Sequence, residues 1–263
     1  MKNCFIINIF KYYNPMTKFI STNYHQTIAY NKFKGKKTGI IFLSGFKSDM
    51  TGQKAITIEN WARKKNHSFL RFDYTGHGQS SGNFNNLVFS DWLRDSIYII
   101  NYLTQGPQII VGSSMGGWIG LNLIKKKSVN VKSIICLAAA PDFPKLLIWD
   151  KLSFSQKKNL IKNKKITLSK KYDGEEYKNT FTKNFLRDAL YNRVMNKKIH
   201  FTGKVFLYHG MQDQDVPYQT SINIMNNIVG TNNIQLILEK NGKHRLSEKN
   251  ELKTILKLLE QCN

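Results

Sequence analysis

The sequence predicts an α/β protein whose mostly parallel sheet is covered by helices on both faces. Three observations lead to this prediction. Short β-type runs alternate with helical stretches from Thr38 onward, one of these runs ends in a glycine-rich turn that leads directly into a helix, and the alternation stops once, at the lysine-rich segment 142–203, before it resumes. Alternating strands and helices are typical of parallel sheets, because each parallel pair needs a crossover connection.

The first part of the alternation predicts four strands and three helices. Each strand is a short run rich in β-branched or aromatic residues, and the second helix carries a broad apolar stripe around Trp92 and Ile99. In chain order the elements are the strand 38–43, the helix 51–66, the strand 68–72, the helix 90–103, the strand 108–111, a helix from Met115, and the strand 131–139.

The second part follows the interruption. Segment 142–203 is rich in lysine, helical in places and without a convincing apolar strand, so we interpret it as an insertion. The alternation then resumes with the strand 204–209, a helix after Pro217, the strand 233–239 and an amphipathic helix from Ser247. We expect residues 1–30 to form an N-terminal extension and first strand region, and residues 31–263 to form one domain that contains the insertion at about 142–203.

The net charge of +23 first suggests a nucleic acid or membrane partner. Only six of the 40 basic residues are arginine, however, whereas bidentate recognition of phosphate and guanine favours arginine. Lysine together with abundant Asn, Ile, Tyr and Phe is what codon bias in an AT-rich genome produces. We therefore expect no specific nucleic acid partner, and no apolar run is long enough to predict a membrane span.

The three cysteines are far apart in the sequence and form no C-x-x-C pair, which predicts a reducing compartment without disulfides or a zinc site: Cys4, Cys136 and Cys262. The N-terminal stretch lacks a small-residue cleavage site and the arginine enrichment of a transit peptide. We therefore expect a cytoplasmic protein, with an organellar matrix as the alternative, and Met1 and Met16 both remain candidate start sites.

Two stretches match the pattern G-x-S-x-G, "GSSMG" around Ser114 and "GQSSG" around Ser80. A nucleophile elbow needs a strand directly before its serine, a helix directly after it, and small residues two positions to either side, because the backbone at the apex is strained. Gly112 and Gly116 flank Ser114, between a predicted strand and a predicted helix. Ser80 has loop sequence on both sides. We interpret Ser114 as the candidate nucleophile and the Ser80 stretch as a structural loop.

A serine nucleophile needs a histidine base, and the base needs a carboxylate that orients it. On a fold of this kind the chain order is serine, acid, histidine. Asp213 and Asp215 both follow the strand 204–209 and both remain candidates for the acid, while His244 follows the final strand. The other histidines lie outside this order and are assigned no role: His25, His67, His77, His200 and His209.

Two backbone amides are expected to form an oxyanion hole. One is the amide of Met115, which directly follows the candidate nucleophile. The other comes from the loop "LSGFKSDM" after the first predicted strand, where Gly45 lets the chain turn so that the amide of Phe46 can face the site.

Several motifs together resemble the serine hydrolases of the α/β-hydrolase superfamily: "GSSMGGW", "RFDYTGHGQSSG", "HGMQDQDVP", "KHR" and "FLSGFKSDMTGQKA". The likeness is closest to the acyl-protein thioesterase and acyl-glucuronide esterase branch with its bacterial relatives, and it covers roughly Thr38 to Leu259. The resemblance implies an α/β-hydrolase fold, selects Asp213 over Asp215, and makes the insertion a small helical cap over an acyl pocket.

We therefore expect a serine hydrolase that cleaves carboxylic esters or thioesters, either acylated proteins or small acyl esters, with no metal and no organic cofactor. Trp118, Phe143 and Trp149 are the aromatic residues expected to line the substrate pocket. A serine peptidase or a lipid-ester hydrolase with the same triad is the alternative, and a non-catalytic binding protein is a third possibility. The sequence leaves the oligomeric state open.

Overall fold

The computed structural model describes residues 16–172 and 175–262. In these ranges it contains twelve strands: β1 (Lys18–Ser21), β2 (Thr27–Phe33), β3 (Lys37–Leu43), β4 (His67–Phe72), β5 (Gln108–Ser113), β6 (Val131–Leu137), β7 (Lys165–Tyr172), β8 (Glu175–Thr182), β9 (Ile199–His200), β10 (Lys204–Gly210), β11 (Ile228–Val229) and β12 (Ile234–Glu239).

The same ranges contain seven α-helices: α1 (Gln53–Lys65), α2 (Phe89–Leu103), α3 (Met115–Lys126), α4 (Phe154–Asn163), α5 (Lys183–Tyr191), α6 (Gln219–Asn227) and α7 (Lys249–Gln261). Three short helical turns lie between them, at Phe84–Asn86, Pro144–Ile148 and Trp149–Lys151. Every strand and helix predicted outside the insertion is present, with ends shifted by a few residues at most.

Eight of the strands form one sheet in the order β1-β2-β4-β3-β5-β6-β10-β12. The first two pairings, β1 with β2 and β2 with β4, are antiparallel, and all the others are parallel. The carboxyl ends of the parallel strands therefore meet at one edge of the sheet. This is the edge at which open α/β sheets bind their ligands.

Helices cover both faces of this sheet. Helices α2 and α3 pack on one face and α1 and α7 on the other, and each face has its own buried apolar cluster. The stretch 115–124 of α3 is buried at every position, as its sequence "MGGWIGLNLI" requires, because a helix that is apolar on all sides is stable only inside a protein. The predicted mostly parallel α/β architecture is confirmed.

The insertion lies between β6 and β10 and contains α4, β7, β8, α5 and β9. We call the segment 142–203 the cap. Its sequence shows no convincing apolar strand, yet β7 and β8, both rich in polar residues, form an antiparallel hairpin in which Ile166 faces Phe181. Both of these side chains are buried. The cap is therefore a helical layer with a hairpin attached to it.

The N-terminal strands belong to the same sheet as the rest of the chain. β2 pairs with both β1 and β4, so the expected boundary at residue 30 falls inside a strand of the sheet. Residues 1–15, on which the interpretation of the N-terminus depends, lie outside the described residues. Within the part of the chain that the structure describes, no helix combines the length and the apolarity needed to cross a bilayer.

Candidate active site

Ser114 lies in a sharp turn between β5 and α3. Its backbone adopts φ 54° and ψ −116°, a region that a residue with a side chain occupies only at a cost of about 1 to 3 kcal/mol. The turn is held by the Ser114 amide, which donates to the carbonyl oxygen of Leu137 at 2.9 Å, and by the Ser114 carbonyl, which accepts from the Ala140 amide at 3.1 Å. The surrounding sheet thus maintains the strained conformation.

The flanking glycines are required by close backbone approach. A Cβ atom on Gly112 would collide with the carbonyl oxygen of Gly116, and one on Gly116 would collide with the carbonyl oxygen of Leu43 on the neighbouring strand. Neither obstacle is a flexible side chain that could move away. The sequence pattern around Ser114 therefore reflects how tightly the start of α3 packs against β3 and β5.

Asp213 and His244 reach Ser114 from the ends of two other parallel strands. Asp213 follows β10 and His244 follows β12, and these two strands pair in register up to Gly210 and Glu239. His244 Nε2 lies 3.1 Å from Ser114 Oγ, and His244 Nδ1 lies 2.7 Å from Asp213 Oδ2. The three side chains form one continuous hydrogen-bonded chain at the carboxyl edge of the sheet.

The Asp213 carboxylate accepts hydrogen bonds on both oxygens. Oδ1 accepts from the amides of Asp215 and Val216, each at 2.8 Å, and Oδ2 accepts from the rings of His244 and His209. Burial alone raises the pKa of this carboxyl group, but the hydrogen bonds from the two histidines and the charge of His244 hold the pKa well below its usual range. Asp213 is therefore ionised at neutral pH.

His209, to which the sequence pattern assigns no role, is the second histidine on this carboxylate. It is fully buried, and its Nε2 lies 3.0 Å from both Asp213 Oδ2 and the Val216 carbonyl oxygen. A carbonyl oxygen can only accept a hydrogen bond, so Nε2 must carry a hydrogen. Because Nε2 carries the hydrogen, Nδ1 is left to accept from the Ser221 hydroxyl at 2.7 Å. In the sequence, the short spacing between the histidine and the aspartate of "HGMQD" is the signal for this contact. The tight turn after β10 brings the two side chains together.

Asp215, the other candidate acid, has an exposed side chain and contributes its backbone amide to Asp213. One ligand atom each of Asp213, Asp215 and His244 lie within 4.8 Å of one another, a spacing that a metal ion could bridge. The contacts of Asp213 and His244 are already used as hydrogen bonds to each other, to backbone amides and to Ser114. The arrangement therefore suits proton transfer better than metal coordination.

The loop after β3 passes directly over the serine. A Cβ atom on Gly45 would lie 3.4 Å from Ser114 Cβ, so the backbone of this loop is close to the hydroxyl. Among the hydrogen bonds of the described residues, the amides of Phe46 and Met115 have no acceptor. They are the two amides that the sequence analysis selects for an oxyanion hole.

The loop after β4, which carries the Ser80 motif, holds the far end of the β3 loop in place. Asp73 Oδ1 accepts from the amide of Met50 at 2.6 Å, and Arg71 Nη1 donates to the Met50 carbonyl oxygen, also at 2.6 Å. Burial raises the pKa of Asp73, and the hydrogen bonds from the Gln79 and Met50 amides oppose that shift. The amide and the carbonyl group of Met50, in the β3 loop, are thus both held by hydrogen bonds.

The near end of the β3 loop is fixed in the same way. Tyr74 donates its hydroxyl to the Ser44 carbonyl oxygen at 3.1 Å, and His77 Nε2 accepts from the amide of Lys47 at 3.3 Å. Lys47 itself has φ 57°, an uncommon conformation for a residue with a side chain. Burial lowers the pKa of His77 to about 4, so its ring is neutral and can accept this hydrogen bond at ordinary pH. These contacts bracket Phe46.

Ser80 and Ser81 hold the Ser80 motif against the sheet. Ser80 Oγ donates to the Asp73 carbonyl oxygen at 2.7 Å and accepts from the Ala29 amide at 2.8 Å. Ser81 Oγ accepts from the Thr27 amide at 2.8 Å. The hydroxyl of Ser80 is therefore engaged on both sides by the main chain, as expected for a structural loop.

An aromatic cleft of about 330 Å³ opens beside the β3 loop. Phe46, Phe84 and Trp92 line one wall, and Phe181 and Phe185 of the cap line the other. The ring of Phe46 lies within 6.0 Å of the rings of all four, centroid to centroid. Phe46, which belongs to the loop that passes over Ser114, thus also forms part of the cleft with its side chain.

The three predicted pocket residues occupy different places. The Phe143 ring contacts Phe46 edge to face at 5.6 Å, which puts it next to the cleft. Trp118 is fully buried, where it stacks on Phe89 and donates its ring N–H to the Asn192 carbonyl oxygen. Trp149 lines a separate cavity in the cap. The structure brings Phe143 to the cleft and does not bring Trp118 or Trp149 to its lining.

Comparison with known proteins gives concordant matches. A family model described as "Serine aminopeptidase, S33" matches residues 36–251. The chain is 34% identical over 229 residues to "Palmitoyl-protein thioesterase ABHD10, mitochondrial" of Homo sapiens, an alignment that covers 87% of this chain and 74% of the human protein.

Two solved structures are similar over nearly the whole chain. The α/β-hydrolase domain-containing protein 10 from mouse superimposes with a TM-score of 0.86 at 31% identity and covers 93% of this chain and 97% of its own. A putative hydrolase from Agrobacterium vitis S4 gives the same TM-score and identity and covers 94% and 98%. These matches confirm the resemblance stated from the motifs, and the chain belongs to the α/β-hydrolase family whose model is described as serine aminopeptidase S33.

Proposed function

We propose that this protein hydrolyses carboxylic esters or thioesters through an acyl-enzyme formed on Ser114. The observation that carries the proposal is the hydrogen-bonded chain from Ser114 through His244 to Asp213, placed on a strained turn. Membership of the α/β-hydrolase family supports ester or thioester hydrolysis. The choice of residues rests on their geometry.

In the proposed mechanism Asp213 accepts the Nδ1 hydrogen of His244, which leaves Nε2 free of hydrogen and able to take the Ser114 proton. Ser114 Oγ attacks the carbonyl carbon, and the amides of Phe46 and Met115 stabilise the oxyanion, each contributing roughly 3 kcal/mol. The imidazolium that forms then protonates the leaving oxygen or sulfur. A water molecule, deprotonated by His244, releases the acid from Ser114.

The substrate class that we propose is an acylated protein or a small acyl ester. The relatives at 33 to 34% identity are named palmitoyl-protein thioesterases, and the aromatic cleft beside Phe46 offers apolar surface for an acyl group. The alternative is a lipid-ester hydrolase, which uses the same triad and a similar apolar cleft.

Peptidase activity has the support of the description of the family model. An aminopeptidase must bind the positively charged amino group of its substrate, for which a carboxylate near the nucleophile is the usual partner. The described residues that line the aromatic cleft include Lys165 and no acidic side chain. The cleft lining therefore offers no carboxylate to an amino terminus, whereas Asp215, within 4.8 Å of the Asp213 and His244 ligand atoms, does. The substrate panel below separates acyl esters from peptides with a free amino terminus.

The experiment is labelling with a fluorophosphonate probe followed by peptide mapping, together with a substrate panel. We expect the label on Ser114 and hydrolysis of nitrophenyl acyl esters and an S-acylated peptide, with little release from an amino acid nitroanilide. Ser114→Ala is the negative control and Ser80→Ala the matched serine control. A label on Ser80, or undiminished turnover by Ser114→Ala, would contradict the mechanism.

For its location we propose a reducing compartment. Cys136 and Cys262, the described cysteines, are buried and unpaired, and burial raises the pKa of each thiol to about 12. The names of the relatives specify mitochondria, so the cytoplasm and the mitochondrial matrix are the two compartments to compare by cell fractionation.

A further inference from the structure

The cap contains a second cavity of about 370 Å³, bounded by α4, α5 and the helical turns at residues 144–151. Its apolar lining comes from Trp149, Leu160, Ile161, Leu186 and Leu190. Leu160 and Leu186 are buried at its base, while Ile161 and Leu190 remain about half exposed at its mouth. Its volume lies within the roughly 300 to 1,000 Å³ typical of small-molecule sites.

This cavity is distinct from the aromatic cleft, since the two share no lining residue. Helix α5 separates them. Phe185 points from this helix into the cleft, whereas Lys183, Leu186, Arg187 and Leu190 recur at helical spacing and face the cavity. One helix therefore forms a wall of both.

The mouth of the cavity is cationic. Lys145, Lys183 and Arg187 line it together with the apolar side chains. Lys145 pairs with Asp150. Among the side chains that the structure describes, no acidic group lies within ion-pair distance of Lys183 or Arg187. Lys183 also stands in the first turn of α5, at the positive end of the helix dipole.

An apolar cavity with two uncompensated cations at its mouth is complementary to an anionic amphiphile. A guanidinium group binds a carboxylate through two parallel hydrogen bonds, and the base of the cavity excludes water from an alkyl chain. A neutral lipid would leave both cations unused, and an inorganic anion would leave the apolar base unfilled.

We propose that the cap cavity binds a fatty acid, with its carboxylate on Arg187 and Lys183 and its alkyl chain against Leu160, Leu186 and Trp149. Binding at this site needs no turnover and therefore stands apart from the proposed function. If that function holds, the acid released from Ser114 belongs to the same chemical class, and the cap would bind the product of the reaction.

The test uses the full-length Ser114→Ala protein, so that binding is measured without catalysis. Titration calorimetry with sodium dodecanoate, below its micellar concentration, is expected to show saturable binding that strengthens about threefold to fourfold per methylene from octanoate upward. Adding Lys183→Ala and Arg187→Ala together should weaken dodecanoate binding about tenfold to a hundredfold. Dodecanol should bind weakly to both proteins.

The matched control is Lys158→Ala with Lys162→Ala, which removes the same charge from exposed positions of α4 that do not line the cavity. This pair should leave dodecanoate affinity unchanged. An equal loss in the control pair would show that the charge effect is non-specific and would overturn the proposal, and so would equal affinities for dodecanoate and dodecanol.

The position of the ligand is tested with a fatty acid that carries a terminal diazirine. Photolabelling is expected on the peptides around Trp149 and residues 186–190, and Leu190→Asp, a change at a half-exposed position, should abolish it. Labelling confined to the Phe46 or Phe181 peptides would assign the ligand to the cleft instead.

Two other occupants of the cap surface, a membrane and a second copy of this chain, would give different experimental results. Binding to phosphatidylglycerol vesicles without binding of monomeric dodecanoate would make the surface a membrane contact. Sedimentation that shows a ligand-free dimer broken by Leu190→Asp would make it an interface between copies of this chain. Either result would overturn the proposal.

Discussion

Two stretches of this chain share the pattern G-x-S-x-G, and their serines have opposite surroundings. Ser114 Oγ faces the ring nitrogen of His244 at 3.1 Å. Ser80 Oγ is held between the Asp73 carbonyl oxygen and the Ala29 amide. A hydroxyl whose donor and acceptor capacities are both used by the main chain has no base to activate it. The comparison teaches that G-x-S-x-G indicates a nucleophile only where a strand precedes it and a helix follows it.

The two motifs nevertheless act on the same region. The elbow presents Ser114 and the Met115 amide, whereas the Ser80 stretch and the residues before it anchor the loop that carries the Phe46 amide. In the proposed mechanism one motif supplies reacting and binding groups, and the other fixes the position of the neighbouring loop. Substitutions in the two motifs should therefore affect different properties of the protein, and their effects should also differ in size.

The largest expected difference is between Ser114→Ala and Ser80→Ala. Because no other side chain can replace the nucleophile, Ser114→Ala should lower kcat by about 10⁴-fold or more. Ser80→Ala should leave kcat nearly unchanged. Turnover of a nitrophenyl ester measures both, and comparable losses in the two variants would mean that the motifs do not differ in the way proposed.

Asp213→Asn should be almost as damaging, with kcat lowered by about 10⁴-fold. The amide group of asparagine can donate to His244 Nδ1, which favours the tautomer that cannot accept the Ser114 proton. Asp215→Asn is the matched control, because that side chain is exposed and the hydrogen bond to Asp213 comes from the Asp215 backbone amide, which the substitution keeps. The same ester assay measures both variants. A larger loss of kcat in Asp215→Asn than in Asp213→Asn would reassign the acid to Asp215.

His77, in the loop that carries the Ser80 motif, should make stability depend on pH. Burial lowers the pKa of His77 from 6.5 to about 4, so between these values the unfolded chain binds a proton that the folded chain does not. The free energy of unfolding should therefore fall as the pH falls through this window, by up to roughly 3 kcal/mol from His77.

His77→Phe should make this dependence shallower, while the exposed-loop control His25→Asn should follow the wild type. Urea unfolding at pH 7 and pH 4.5 measures the slope for each protein. Parallel curves for His77→Phe and the wild type would mean that His77 titrates alike in the folded and unfolded chain.

His77→Phe should also lower kcat, by about tenfold, with little change in KM. The ring contacts with Phe84 and Trp92 can persist, but the Lys47 amide loses its acceptor, and the neighbouring Phe46 amide is then held less firmly where the oxyanion forms. Steady-state kinetics separate the two parameters. A change in KM alone would indicate a contact with substrate rather than a positioning effect.

The smallest effect is expected from Ser80→Ala on stability. Removing the hydroxyl leaves the Ala29 amide and the Asp73 carbonyl without their partner, at a cost of about 1 to 3 kcal/mol. Urea unfolding at neutral pH measures this cost, and Ser155→Ala, on the exposed surface of α4, is the control. Equal stabilities of the two variants would remove the structural role assigned to Ser80.

Elements with a strong local pattern were predictable from the sequence. The run "QIIV", the glycines beside Ser114 and the apolar stretch after it predict strand, turn and helix because each depends on its own residues, and the structure has all three. The proximity of Asp213 and His244 follows in turn from parallel strands, whose carboxyl ends meet at one edge.

Elements that depend on distant partners were harder to predict. β1 is a short edge strand with mostly exposed side chains, so its apolar pattern is weak. The cap hairpin has Ile166 and Phe181 on its buried side, but lysines between its apolar positions obscure the alternation. His209 could not be assigned from sequence, because its role depends on how the turn after β10 folds back.

The left-handed backbone at Ser114 sets stability and activity against each other. Glycine adopts φ 54° without penalty, so Ser114→Gly should yield a protein that is more stable than the original and inert. Selection for stability alone would favour glycine at this position. A serine at a conformation that costs about 1 to 3 kcal/mol therefore lowers the stability of the fold in exchange for the proposed nucleophile.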